Sequence, residues 1–184
     1  MYGLVNQGVR DMVIEAGGES LWQTVRKAAG VELEEFSSMT PYDDSLTMAL
    51  VDAASRVLET PANDLLRGFG RHWIEFTHKT GYGPLMAVSG ESVREFLSNL
   101  DQMHARIKIS MPDLDPPGFD CEARDDGVIE VAYYSSRAGL VPMVVGLLEG
   151  LAERFGETIT VEHTVAKQNL DEPDLLEVTV LEGR

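Results

Sequence analysis

His104 lies in the stretch LSNLDQMHARI (97–107), and Phe96, Leu100, Met103 and Ile107 share its side of a helix. A neutral imidazole in dry surroundings is a good metal or haem ligand. A lone histidine on such a face is also, and more often, a satisfied core residue. A second group is YYSSR (133–137), where Tyr133, Ser135 and Arg137 stand two apart. On a strand all three side chains emerge on one face. Phenol, hydroxyl and guanidinium are hydrogen-bond donors that suit a carboxylate, which arginine can grip through two N–H groups. The same trio also fits an ordinary polar strand end. The third feature is DPPGF (115–119), whose two prolines stiffen the backbone. Such a segment is a rigid connector or, less often, an apolar wall pressed against a ligand. An iron ligand, carboxylate partners and a flat apolar contact are together what a haem needs. The chain has no C-x-x-C-H, so thioether attachment is not indicated.

The elements that must position these groups fall into two kinds. Val5, Val9, Met12 and Val13 recur at helical spacing until Gly17-Gly18, and Ser20 with Gln23 forms a capping-box pattern for a second helix ending at Gly30. A third helix is predicted from Asp44 to Glu59. Thr60-Pro61 then supplies an N-cap and a proline at the first position of a fourth, which carries Leu65, Leu66, Phe69, Trp73 and Phe76. TGYGP (80–84) reads as a loop, and Ser92 with Glu95 caps the helix of His104. After MPDLDPPGF the period changes to two. FDCEAR and GVIEVAYY flank Asp125-Asp126 as a hairpin. A helix with Pro142 near its start follows, then two further strands, TITVEHTV and LLEVTVL. The expected fold is α+β: helices first, then a four-stranded antiparallel sheet with a helix inserted.

With 184 residues, 43% of them hydrophobic, the chain suits one domain or two small subdomains sharing a core. Asp plus Glu outnumber Lys plus Arg by 31 to 15, a net charge of -16 that argues against nucleic acid and anionic membrane as partners. Cys121 is the one cysteine, so neither an internal disulfide nor a multi-cysteine zinc site can form within the chain. A reducing, cytoplasmic setting is expected. The first eighteen residues mix charge into each turn, unlike a signal peptide or a membrane span.

The stretches MYGLVNQGVRDM, GRHWIEF, GYGPLM, EFLSNLDQMHARI, DPPGFDCE, YYSSRAGLVPMVVGLLEGLAERF and VEHT, in this order from Met1 to about Lys167, resemble the haem nitric oxide/oxygen-binding (H-NOX) family. That family includes the haem domain of soluble guanylate cyclase, and by analogy with it an N-terminal helical subdomain (1–62) packs on a haem-binding α+β subdomain (63–184). Both the histidine of L-x-x-x-H-A-R and the Y-x-S-x-R signature are intact. The resemblance implies a non-covalent b-type haem with His104 as proximal iron ligand and Tyr133, Ser135 and Arg137 on the propionates. It implies that Pro117 presses on the porphyrin, and that Val5, Leu100 and Met103 contact it. Some members carry a cysteine-rich zinc site, which this chain cannot supply.

Oxygen-binding members use a tyrosine on the helix after Y-x-S-x-R to hydrogen-bond the gas. Here that helix reads AGLVPMVVGLL, without tyrosine. By resemblance Trp73, Met143 and Leu147, with Val5, form an apolar distal pocket suited to nitric oxide and carbon monoxide. The implied function is a nitric oxide sensor in which gas binding weakens the iron–histidine bond and shifts the N-terminal helices. No catalytic output module is visible, so the chain is read as a non-enzyme acting on a partner such as a histidine kinase or diguanylate cyclase. A haem peroxidase or oxygenase is the first rival, but the acid/base candidates near Trp73 are poorly placed: His72 faces about a quarter-turn away on the helix and His78 ends the segment. A non-haem carboxylate-binding domain is the second.

Overall fold

The computed structural model describes residues 1–182. Its helices are α1 (Gly3–Ala28), α2 (Asp44–Val57), α3 (Ala62–Thr77), α4 (Gly83–Ala87), α5 (Val93–Ser110) and α6 (Val141–Phe155). Its strands are β1 (Gly118–Ala123), β2 (Val128–Tyr134), β3 (Thr158–Val165) and β4 (Asp174–Glu182). They form one antiparallel sheet in the order β1-β2-β4-β3. The mixed helix-plus-sheet architecture is the expected one. No helix among the described residues is long and apolar enough to cross a membrane.

The sheet shows why period-two sequence becomes a half-buried strand. In β2, Ile129, Val131 and Tyr133 point inward, and Leu176 and Val178 of β4 lie beside them in the same core. Val131, Leu176 and Val178 are fully buried, each worth about 1.5–3 kcal/mol by removal from water. Phe96, Leu97 and Leu100 of α5 and Val144, Leu148 and Leu151 of α6 belong to this core. A second core joins Val9, Val13, Trp22 and Val25 of α1 to Leu50 and Val51 of α2. Leu65, Leu66 and Phe69 of α3 belong to it, whereas Ile74 of the same helix belongs to the sheet core. α3 is thus the beam shared by both halves.

Helix α6 lies unusually close to α3. A Cβ on Gly146 would overlap the Arg67 carbonyl, and one on Gly70 would overlap that of Met143. Glu149 of α6 ties the two helices together through ion pairs with Arg67 and Arg71. Burial alone would raise its carboxyl pKa, but the two guanidinium partners outweigh that and hold it below the ordinary value.

The break at Gly17-Gly18 is the expected one: both residues leave helical φ/ψ, Gly18 at φ +78°, and two helical segments meet there within α1. Three other local expectations are corrected. The Ser20–Gln23 capping box is not formed, because Ser20 already lies inside the segment that starts after Gly18, and the Gln23 amide donates to Glu19 instead. Pro61 occupies the N-cap of α3 and not its first turn, and the Thr60 hydroxyl donates to the Leu58 carbonyl. TGYGP is no open loop. His78–Tyr82 form a π-helical turn that runs into α4. The Thr80 hydroxyl donates to the Phe76 carbonyl there, and Pro84 sits in the first turn of α4, where a missing N–H costs nothing.

Candidate functional site

The two cores do not close on each other. Between them lies a mainly apolar cavity of about 320 Å³. That is within the usual range for small-molecule sites. Val5, Trp73, Leu100, Met103, His104, Pro117, Tyr133, Ser135, Arg137, Met143 and Leu147 all line it, so the structure brings together the residues that the resemblance assigns to a haem.

α5 positions His104. The Ser92 hydroxyl accepts from the Glu95 N–H at 3.2 Å, the Glu95 carboxylate accepts from the Glu91 N–H, and the Glu157 carboxylate accepts from the Val93 N–H. These bonds satisfy the orphan donors at the helix start and fix which side faces inward. Phe96 and Leu100 are buried on that side, and Met103, His104 and Ile107 continue it along the cavity. His104 Nδ1 is buried without a hydrogen-bond partner. Burial lowers the imidazole pKa, and Asp101 only partly offsets this. The ring is therefore neutral at pH 7 and tied to no protein group through Nδ1, which suits a metal ligand. A settled core histidine would have its ring nitrogens bonded.

The opposite wall comes from α1, α3 and α6, through Val5, Trp73, Met143 and Leu147. The loop after α5 carries Pro116 and Pro117 to the cavity before β1 begins at Gly118. The Asp113 N–H donates to the Tyr2 hydroxyl at 3.2 Å, anchoring this loop to the start of α1.

The Y-x-S-x-R trio is at the cavity, but not on one strand face. β2 ends at Tyr134, and the Arg137 N–H donates to Ser135 Oγ at 3.1 Å in a turn beyond it. Tyr133 and Ser135 are buried, and burial pushes the Tyr133 phenol up. The Arg137 guanidinium donates to the Asp44 carboxylate at 2.6 Å and to the Asp115 carbonyl at 3.0 Å. Asp44 also pairs with the N-terminal ammonium. Burial alone would raise the Asp44 carboxyl pKa, but these two cations hold it down. The strand reading missed this because the partner on α2 lies 93 positions away.

Tyr2, Thr77 and Tyr82 also line the cavity and were not anticipated as site residues. Tyr82 lies inside the GYGPLM stretch, the one signal that marked it. His72 and His78 are not among the lining residues. His72 turns towards Asp11 and Glu15 of α1.

A family model described as Haem-NO-binding matches residues 2–163. The chain belongs to this family, H-NOX. It is a haem-binding, gas-sensing domain of the kind found in soluble guanylate cyclases. It is 29% identical over 161 residues to the soluble guanylate cyclase gcy-35 of Caenorhabditis elegans, covering 86% of this chain and 23% of that protein. To gcy-33 of the same organism it is 31% identical over 155 residues, 84% of this chain and 16% of the relative. The chain thus spans a quarter or less of these relatives' length. An H-NOX protein from S. oneidensis, solved in the Fe(II)NO ligation state, shares the fold with a TM-score of 0.89 at 18% identity, covering 99% of this chain and 100% of that one.

Proposed function

We propose that this domain senses nitric oxide through a ferrous b-type haem held non-covalently in the cavity, with His104 as its protein ligand. The observation that carries the reading is the neutral His104 ring, its Nδ1 buried and unpartnered, on the wall of a large apolar cavity. When bound, the haem supplies a ferrous iron that takes nitric oxide or carbon monoxide and whose hold on His104 weakens with nitric oxide. Tyr133, Ser135 and Arg137 bind the propionates, and Arg137 brings donors already oriented by Asp44 and Asp115. Pro117 presses on the ring from a backbone that cannot yield, with Val5, Leu100 and Met103 as further apolar contacts. Trp73, Met143 and Leu147 keep the gas side dry.

If the iron let go of His104, α5 would be freed, and the helices of residues 1–62 would shift against residues 63–184. Arg137 links the two parts directly, because its partner Asp44 begins α2. The signal passes to a signalling partner in the cytoplasm, a histidine kinase, diguanylate cyclase or other signalling protein, and the domain itself is not an enzyme. Against a peroxidase or oxygenase stands the position of His72 and His78 outside the cavity lining.

One absorption spectrum of the haem-loaded ferrous protein, recorded in air and with nitric oxide, tests this. Five-coordinate ferrous haem that gives a nitrosyl complex but no lasting oxy spectrum is expected. A persistent oxy form would refute the apolar-wall argument, and failure to take up haem would remove the whole reading.

A further inference from the structure

Outside the cavity, α1 and α3 bring three ligating side chains together. Asp11 and Glu15 stand four apart on one face of α1, and His72 of α3 reaches between them. His72 Nε2 lies 3.2 Å from an Asp11 carboxylate oxygen, and Nδ1 lies 3.4 Å from one of Glu15. One ligand atom from each residue lies within 4.8 Å of the other two. The imidazole is only 12% exposed, yet Nε2 is buried without a hydrogen bond, because its approach to Asp11 lies off the N–H line. No lysine or arginine pairs with Asp11 or Glu15 among the described residues.

We propose that Asp11, Glu15 and His72 form a binding site for a divalent transition-metal ion of the zinc type, clamping α1 to α3. Zinc bonds of about 2.0–2.1 Å to nitrogen and oxygen require tetrahedral ligands roughly 3.3–3.4 Å apart. The Nε2–Asp11 edge already has close to that length. Glu15 completes the set by a side-chain rotation, which its 59% exposure allows, and water takes the fourth position. The other ring nitrogen is left to solvent or to the second Glu15 oxygen. Oxygen ligands with a single imidazole suit zinc and its neighbours, whereas copper(I) prefers sulfur. The site differs from any cysteine-based one, since Cys121 lies elsewhere and burial with Asp101 and Asp120 nearby pushes its thiol up to about 11. His72 is followed directly by Trp73 of the cavity wall, so the ion would tie the helix carrying Trp73 to α1.

The test is calorimetric titration of Zn²⁺ into the haem-loaded chain, with zinc K-edge absorption on the complex. One ion per chain is expected, with an imidazole nitrogen and oxygens in its first shell. The D11N/E15Q double variant changes exposed side chains only, and His72→Gln removes the nitrogen donor. Each should weaken binding at least about ten-fold, by analogy with losses seen on disturbing a metal site. An E34Q/E35Q control removes two other exposed carboxylates and should leave binding unchanged. Absence of one-to-one binding, equal affinity in D11N/E15Q, or a sulfur neighbour near 2.3 Å would overturn the assignment. The haem spectrum reports separately on the cavity, so the two readings fail independently.

Discussion

Replacement of His104 by glycine separates a ligand from a core residue, because the two roles predict different costs. If the ring served packing, its loss would resemble other large-to-small core changes, about 2–5 kcal/mol. The structure predicts less. A buried polar atom without a partner costs roughly 1–3 kcal/mol, and deletion of the imidazole removes that penalty at Nδ1. Glycine inside α5 adds about 1 kcal/mol of helix cost. Lost apolar contact adds a further amount, limited because the ring borders an open cavity. These contributions nearly cancel, leaving the haem-free protein within about 1–2 kcal/mol of the parent, a midpoint change of no more than roughly 8 °C at this chain size. Haem binding behaves differently: His104→Gly should lose five-coordinate ferrous haem and regain it with added imidazole. Thermal unfolding of both haem-free proteins and haem titration with and without imidazole supply the readings. Collapse of the haem-free variant, or normal ferrous haem without imidazole, would refute the reasoning.

Gly146→Ala should destabilise the protein by about 1–3 kcal/mol, as overpacking does, because the new Cβ would meet the Arg67 backbone. Urea unfolding checks it: helix propensity alone predicts the opposite sign, so a stabilised variant would disprove the close approach of α3 and α6. The Glu149 carboxyl has a lowered folded pKa, so its contribution is fully present above the unfolded value near 4.5 and is lost as pH falls through the folded one. Glu149→Gln should cost about 1 kcal/mol at neutral pH, a modest figure because Arg67 and Arg71 are half exposed, and should flatten the acid limb of a stability–pH profile. An unchanged acid limb would show that Glu149 carries no such linkage.

How far these features were legible in sequence follows from the range of the forces involved. The Ser92 cap and the inward row of α5 are local, set by bonds and spacings within a few residues, and both were readable. So was the alternation of β2, where each inward residue meets the same core. The end of β2 was not. A polar strand face and a polar turn have the same residue types, and what decides between them is the pull of Asp44 and Asp115 on Arg137. The π-helical turn in TGYGP was hidden for a related reason: glycine and proline usually interrupt helices, yet here Pro84 begins one. His72 was legible as a residue off the cavity face, but not as the neighbour of two carboxylates on another helix.

The cavity follows from the same distinction between local and distant order. Each half of the chain has its own sufficient core, one around Trp22 and Leu50, the other around Val131 and Leu176. α3 belongs to both, and its glycine-lined contact fixes α6 against it. Nothing in either core requires the remaining apolar faces of α5 and α6 to meet, and Leu100, Met103, Met143 and Leu147 are left facing space. Protein interiors are normally packed to crystal density, and an unfilled apolar wall forfeits contact energy over its whole area. A flat apolar group that fills the space and offers a metal to the His104 ring would recover both losses at once. Ligand binding in this fold therefore completes the core instead of adding to a finished one. Detachment of His104 would accordingly loosen the packing between the two halves, and need not be confined to a single side chain.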